Sequence, residues 1–254
     1  PQDVALLDAT KGMKMFEKVG VPILGIVENM AVHICSHCGH AEHIFGAEGG
    51  AKMAAQYGTE LLGSLPLDLA IRLFQNTVMR ARYSSVPVVV APQGLTLGGA
   101  CELSLHSDRV CAAAETYIGL VELGVGVIPG GGGTKEFVLR AADEMHEDEP
   151  ETITLKNRFL SIATAKVATS AHEAYAMGIL RKGRDEVVLN PGRRIAVAKR
   201  AVLELSESGY VTPVVKKDIK VLGRSALGAL YAGIHGMTRA GYATEHDAKV
   251  ARKL

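Results

Sequence analysis

The stretch LTLGGACELSLHSD, residues 95–108, places Glu102 directly after the small residues GGAC. Glycines leave the backbone bare, so another molecule can approach the main chain closely. The preceding segment, VPVVVAP, predicts a short buried strand, and the glycines mark where a helix begins. The sequence therefore predicts a carboxylate at a helix start, beside an accessible peptide backbone.

A second glutamate, Glu122, lies in GLVELGVGVIPGGGGTKE, twenty residues after Glu102. A predicted helix and strand separate the two, a path long enough to return the chain to the same side of a sheet. Two carboxylates over a glycine-lined pocket can hold a water, because one accepts its proton while the other donates one. The Gly99 amide can donate to a carbonyl oxygen that becomes negative. The residues alone leave open the alternative that both glutamates lie on the surfaces of separate helices.

The chain of 254 residues is 48% hydrophobic and 22% charged, which is typical of a globular protein with one large domain or two small ones. The net charge of +1 gives no electrostatic case for nucleic acid or an anionic membrane. No apolar run approaches the ~20 residues of a membrane span, and no export signal is recognisable. We therefore expect a cytoplasmic protein that binds neither nucleic acid nor membranes.

The N-terminal part begins with Pro rather than Met, so we expect it to be a fragment. Apolar spacing predicts a helix over 3–18, a buried strand in VPILGIVENM, a helix over 47–57 and a short strand in TELLGSLPLD. This order predicts a parallel α/β sheet. A further helix is predicted over 68–83, with Asp68 as its cap, and the C-terminal residues 191–254 are expected to be mostly helical.

Cysteines and histidines cluster in VHICSHCGHAEHIFG, where Cys35 and Cys38 have the Cys-x-x-Cys spacing. This spacing lets two thiolates reach one metal ion from a tight turn, but it also suits a redox dithiol or an inert pair. Zinc would need two further ligands from the nearby histidines, and a cubane cluster would need two more thiolates. Because Cys101 and Cys111 are expected to be packing residues, as is His106, those thiolates would come from a second subunit.

The segment from PQDVALLDATKG through GIVENM and the cysteine pair to GSLPLDLAIR, residues 1–72, resembles the C-terminal half of the Mrp/ApbC family of iron–sulfur carrier P-loop ATPases. The resemblance implies that Cys35 and Cys38 hold a [4Fe-4S] cluster bridging two subunits, and that Asn29 lies near the nucleotide base. The phosphate-cradling motif G-x-x-x-x-G-K-[ST] does not occur, and GGGGTK has Thr before Lys. We therefore expect no ATP hydrolysis.

Residues 73–254 resemble the crotonase (enoyl-CoA hydratase/isomerase) part of bacterial 3-hydroxyacyl-CoA dehydrogenase/enoyl-CoA hydratase proteins, through the series GGACE, VELG and IPGGGGT. The resemblance implies that Glu102 and Glu122 are the acid/base residues that add water to a 2,3-enoyl-CoA thioester in fatty-acid β-oxidation. It also implies that the Gly99 amide polarises the thioester carbonyl. In the family a second amide donor comes from an upstream segment, in whose place the Mrp-like residues stand. Losing one such donor lowers the rate roughly 10²–10³-fold.

The two resemblances meet between Arg72 and Leu73, inside a predicted helix, so we interpret the chain as a chimera. Its predicted fold class is α/β. A P-loop-type segment without its P-loop, 1–72, precedes a truncated crotonase-like ββα spiral with a helical C-terminal part, 73–254. The main hypothesis is hydratase (lyase) chemistry on an acyl-CoA substrate by a homo-oligomer, with no NAD site in this chain. The alternatives are an iron–sulfur carrier or scaffold without ATPase activity, and an inactive fusion.

Overall fold

The computed structural model divides into two compact units, one up to Phe74 and one from Gln75 onward. The residues that it describes are 2–29, 31–35, 37–43, 46, 48–145 and 151–254. The division lies within helix α3 (Leu67–Arg82), which closely matches the helix predicted over 68–83. The boundary predicted between Arg72 and Leu73 lies two residues before this division.

The first unit is a small α/β arrangement around one pair of strands. Its elements before α3 are α1 (Gln2–Lys18), β1 (Ile26–Glu28), β2 (His33–Ile34), β3 (Ala41–Glu42), α2 (Gly49–Tyr57) and β4 (Leu61–Ser64). Strands β1 and β4 pair in parallel, as the sequence predicts, and α2 packs against both. Strands β2 and β3 form an antiparallel pair on either side of the cysteine pair.

The expected burial of the first strand is wrong. Strand β1 has three residues, and the side chain of Val27 within it is 55% exposed. Just before the strand, Leu24 is 85% exposed. In the described part of this unit β1 pairs with β4 alone, and a sheet of two strands is too narrow to bury an apolar run on both faces.

The second unit has two parallel sheets, and successive strands along the chain belong alternately to one sheet and to the other. Its strands are β5 (Val89–Val90), β6 (Gly94–Leu97), β7 (Arg109–Ala113), β8 (Thr116–Gly119) and β9 (Glu186–Val188). One sheet has the order β5-β7-β9, and the other pairs β6 with β8. Helix α4 (Gly99–His106) connects the first two strands to the next two, so that β7 lies beside β5 and β8 beside β6. This repetition confirms the predicted ββα spiral.

Helices dominate the rest of the second unit, as predicted. They are α5 (Gly133–Glu144), α6 (Glu151–Ala163), α7 (Ala171–Ala176), α8 (Arg194–Glu207), α9 (Gly223–Arg239) and α10 (Glu245–Ala251). Short 3₁₀ helices cover Glu122–Val125 and Pro191–Arg193. No helix within the described ranges has the combined length and apolar character of a membrane span.

The main hydrophobic core lies between α4, β8, α5 and the segment after α7. Its members include Leu105, Ile118, Leu120, Phe137 and Leu180, each exposed by 2% or less. Cys101 belongs to this core and Cys111 to a second, smaller one, and both thiols are fully buried, in agreement with the packing role expected from the sequence. The core therefore fixes α4 against β8.

We expect Leu105→Ala to destabilise the protein by about 3 kcal/mol, because it removes a fully buried side chain and leaves a cavity in the core. The matched variant Leu203→Ala, at a position that is 49% exposed on α8, should change the free energy of unfolding by less than about 0.5 kcal/mol. Urea unfolding measures both. Equal midpoints for the two variants would contradict the assignment of Leu105 to the core.

Candidate active site

The candidate site forms where two paired parallel strands end. Strands β6 and β8 are in register, with Leu97 opposite Gly119, and the Gly98 N–H donates to the Gly119 carbonyl at 2.9 Å. Because parallel strands present their carboxyl ends at the same edge, both segments leave the sheet at one place. One segment continues as α4, which contains Glu102, and the other as the 3₁₀ helix that begins at Glu122.

Gly98 is the point at which the second carboxylate meets the backbone. Its φ of 54° and ψ of −122° lie in a backbone region that residues other than glycine rarely adopt. A Cβ added there would lie 3.3 Å from Glu122 Oε1. The glycine therefore lets the Glu122 carboxylate approach the start of α4, where Gly99 is the first helical residue.

Glu102 is held by the glycine-rich loop that precedes α5. Its side chain is only 2% exposed, and its Oε1 accepts hydrogen bonds from the Gly131 N–H at 2.8 Å and the Gly133 N–H at 2.9 Å. Burial raises the pKa of Glu102, while these two N–H groups oppose the rise. A Cβ on Gly133 would lie 2.8 Å from Leu120, so the loop can reach the carboxylate only as glycine.

The carboxyl group of Glu122 has a strongly raised pKa. Burial, supplemented by the negative charge of Glu102, raises the pKa of Glu122 to about 7. Its Oε2 is buried and has no hydrogen-bond partner among the residues described. A carboxyl group that titrates near neutral pH can both give and take a proton, which is what acid/base chemistry requires.

The structure thus brings Glu102, Glu122 and Gly99 to one edge of one sheet. Sequence reasoning missed that Gly131 and Gly133 bind the Glu102 carboxylate. The run of four glycines before a predicted helix was the available signal, since successive backbone N–H groups form an anion-binding nest.

The cysteine pair lies in the turn between β2 and β3. The Cys35 N–H donates to the His40 carbonyl at 2.9 Å, and the Gly39 N–H donates to the Cys35 carbonyl at 2.8 Å. The pKa of the Cys35 thiol is lowered by the backbone N–H of Cys38, then by that of His37, and by the Cys38 thiol. Cys35 is half-buried and Cys38 exposed. Both cysteines therefore lie in one turn, and that turn favours the thiolate of Cys35.

The nearby histidines do not complete a metal site. No group of three or more His, Cys, Asp or Glu suited to a metal ion occurs among the residues that the structure describes. The His43 ring instead contacts the Ala31 carbonyl, with 2.9 Å between Nδ1 and the oxygen. Within one described chain, the two thiols are thus not joined by the further ligands that zinc would need.

Asp68 binds the strand before the cysteine turn instead of capping its own helix as predicted. Its Oδ2 accepts from the Ile34 N–H at 2.9 Å, and its Oδ1 lies 3.0 Å from His33 Nδ1. Strand β2 gives the carboxylate two partners, the Ile34 N–H and the His33 ring, whereas a helix cap would give it one N–H. Asn29, expected near a nucleotide base, is exposed directly after β1.

Comparison with known proteins confirms both resemblances. Residues 1–86 match the family described as NUBPL iron-transfer P-loop NTPase. Residues 65–149 match the enoyl-CoA hydratase/isomerase family. The two matched segments overlap over residues 65–86, which include the whole of α3.

Individual relatives divide the chain in the same way. A "Probable 3-hydroxyacyl-CoA dehydrogenase" of Bacillus subtilis is 44% identical over 190 residues, which are 75% of this chain and 23% of that protein. An "Iron-sulfur cluster carrier protein" of Pseudomonas fragi is 69% identical over 72 residues, 28% of this chain and 25% of that protein. The chain thus spans about a quarter of each relative. The solved enoyl-CoA hydratase of Bacillus anthracis is 20% identical, with a TM-score of 0.44 over 76% of this chain and 66% of that one.

We expect Glu122→Gln to remove a pH-dependent loss of stability. The folded pKa of about 7 lies above the ordinary value of 4.5, so between these pH values the folded state binds more protons than the unfolded state. Stability of the wild-type protein therefore falls as pH rises through this window, because the buried group must ionise. The difference in free energy of unfolding, variant minus wild type, should become more positive from pH 5 to pH 8.

Urea unfolding at both pH values measures this difference. Glu115→Gln, at an exposed position in the same unit, is the matched control and should show no such change. A difference between the Glu122 variant and wild type that stays constant with pH would contradict the raised pKa.

Proposed function

We propose that residues 73–254 carry enoyl-CoA hydratase-type lyase chemistry, the addition of water to 2,3-enoyl-CoA thioesters in fatty-acid β-oxidation. The observation that carries the proposal is the pair of carboxyl groups of Glu102, which is buried, and Glu122, which is half-buried, on two segments that leave one sheet edge. The matches to the enoyl-CoA hydratase/isomerase family and to the Bacillus subtilis protein support it.

In the proposed reaction, the two carboxyl groups have complementary roles. Glu102, with two N–H donors that favour its charged form, accepts a proton from water as the water oxygen bonds to C3 of the enoyl group. Glu122, whose pKa of about 7 keeps much of it protonated at neutral pH, donates its proton to C2. A proton then passes from Glu102 back to Glu122 through water, which restores the starting state.

The start of α4 supplies the proposed electrostatic stabilisation of the thioester oxygen. The amide of Gly99, the first residue of the helix, donates to the thioester oxygen as negative charge develops on it. The bare backbone around Gly98 leaves room for a flat thioester to lie against the main chain. The family match supports an acyl-CoA thioester as the proposed substrate, and no role for NAD is proposed.

Hydration of crotonyl-CoA, followed as loss of the enoyl absorbance, tests this proposal. Glu122→Gln should lower kcat by roughly 10²–10⁴-fold, because it removes the group that delivers the proton. Glu102→Gln should do the same by removing the proton acceptor. The exposed Glu115→Gln should keep wild-type turnover. Turnover in Glu122→Gln equal to that of wild type would reject the assignment.

A second function is favoured for residues 1–72, namely that of an iron–sulfur cluster carrier of the Mrp type without ATPase activity. The specific observation is the turn that contains Cys35 and Cys38, in which the pKa of the Cys35 thiol is lowered. The 69% identity to the Pseudomonas fragi carrier protein over 72 residues supports it. A [4Fe-4S] cluster takes four thiolates, so two from each of two copies would bind one cluster as cargo in a homo-oligomer.

Anaerobic reconstitution with iron and sulfide tests the second function. Wild-type protein should become brown, with about half a [4Fe-4S] cluster per chain, since each copy gives two of the four ligands. Cys35→Ser should stay colourless, because serine leaves one thiolate per copy. Cys111→Ala, which removes a buried thiol outside the turn, should bind the cluster as wild type does. A colourless wild-type sample would exclude the carrier function.

The domain assignment is proposed on the same basis, as a carrier-like fragment over 1–72 and a hydratase-like fragment over 73–254. The two assays are independent, so each measures the activity of one part without the other. If wild-type protein neither hydrates crotonyl-CoA nor binds a cluster, the inactive fusion is the explanation.

A further inference from the structure

A buried histidine and a buried glutamate lie directly behind the candidate site. His106 ends α4, one turn after Glu102, and Glu136 lies in the first turns of α5. Both side chains are fully buried. Neither has a role in the proposed proton transfers, and His106 was expected from the sequence to be a packing residue.

His106 is bonded to the backbone of the candidate proton acceptor. Its Nδ1 lies 2.7 Å from the Glu102 carbonyl oxygen. Because a carbonyl oxygen can only accept, Nδ1 carries the proton and the ring donates to Glu102. This bond also assigns the tautomer of the neutral ring, in which Nε2 is the unprotonated nitrogen.

The other side of the ring supports the loop that binds the Glu102 carboxylate. A Cβ on Gly132 would lie only 3.2 Å from His106 Nε2, so the ring packs closely beneath this residue. Gly132 has a φ of +94° and lies between Gly131 and Gly133, whose N–H groups bind Glu102 Oε1. The ring thus fills the space beneath the loop, and only a glycine fits above it.

The backbone of Glu136 is bonded to the same loop, and its side chain lies beside the His106 ring and two cations. Its N–H donates to the Gly132 carbonyl at 3.0 Å. Its carboxylate lies 3.1 Å from Lys135 Nζ, 3.8 Å from the Arg82 guanidinium and 3.7 Å from His106 Nε2. Burial opposes ionisation, but the positive charges beside the carboxylate, Arg82 first and then Lys135, outweigh it and hold the pKa of Glu136 below its ordinary value.

We propose that His106 and Glu136 form a buried positioning pair that holds both ends of Glu102, its carbonyl directly and its carboxylate through the Gly131–Gly133 loop. The pair is not catalytic, since it acts on Glu102 and not on the substrate. As an account of turnover the proposal rests on the proposed hydratase function. The bonds themselves can be tested without any activity.

The proposal predicts that His106→Leu, which keeps an apolar bulk but removes both ring nitrogens, lowers kcat for crotonyl-CoA hydration by about 10–10²-fold, because Glu102 loses its orientation. KM should change much less, since the thioester contacts are untouched. His106→Asn, whose amide can still donate to the Glu102 carbonyl from the Nδ1 position, should recover most of kcat. His235→Leu, at an exposed position on α9, is the matched control and should be unchanged.

A spectroscopic readout separates failure of this proposal from failure of the hydratase function. In the ¹H–¹⁵N spectrum of the full chain, the Gly131 and Gly133 amide protons should resonate downfield, because both donate to a carboxylate. Both should move upfield in His106→Leu. They should also move upfield in Glu136→Gln, which keeps the backbone bond to Gly132 but removes the charge beside the His106 ring, and not in His235→Leu. If wild-type protein lacks hydratase activity but these shifts occur, the hydratase function fails and the positioning pair stands.

Two results would overturn the positioning pair. One is that the two glycine amides stay at their wild-type positions in folded His106→Leu and Glu136→Gln proteins. The other is that kcat in His106→Leu equals that of wild type while Glu122→Gln is inactive. If His106→Leu fails to fold, the same two readouts on His106→Asn and Glu136→Gln decide: both glycine amides unmoved in Glu136→Gln would then reject the pair.

Discussion

The second unit depends on a negative charge enclosed by bare backbone. Glu102 is almost completely buried, and a buried carboxylate is stable only if hydrogen-bond donors replace its lost water. Here two N–H groups of the glycine-rich loop supply that replacement. Because the His106 ring lies against Gly132 and Leu120 against Gly133, a side chain at either position would clash and displace the loop. The position of α4, the loop and the start of α5 all follow from this contact.

The parallel pairing of β6 with β8 is what makes the contact useful. A parallel pair sends both strands out at the same edge, so the two carboxyl groups arrive together although twenty residues of chain separate them. Their environments then differ. Glu102 has two N–H donors, whereas Glu122 has a buried oxygen without a described partner and a pKa of about 7. Two carboxyl groups with different proton affinities are the arrangement that acid/base chemistry uses.

The first unit is governed by a different constraint. Its two sheets have only two strands each, so few of its described side chains are buried, Met13, Met53 and Ala54 among them, and large apolar residues such as Leu24 remain exposed. Its best-defined feature is local, the turn that contains Cys35 and Cys38 and in which backbone N–H groups lower the pKa of the Cys35 thiol. Such a turn is held by local hydrogen bonds rather than by a hydrophobic core. Asp68 binds strand β2, which leads into the turn.

The sequence by itself determined the local features, namely the helix starting at Gly99, the Cys-x-x-Cys turn, the helix α3 and the two family resemblances that meet there. These depend on glycine conformation, residue spacing and apolar periodicity, all of which act over a few residues. Only the tertiary structure decided what the glycines of the loop bind, that Asp68 holds β2 rather than its own helix, and that His106 and Glu136 lie behind Glu102. Those contacts join residues about 30 positions apart, and their partners are fixed by how the elements pack, which no local pattern encodes.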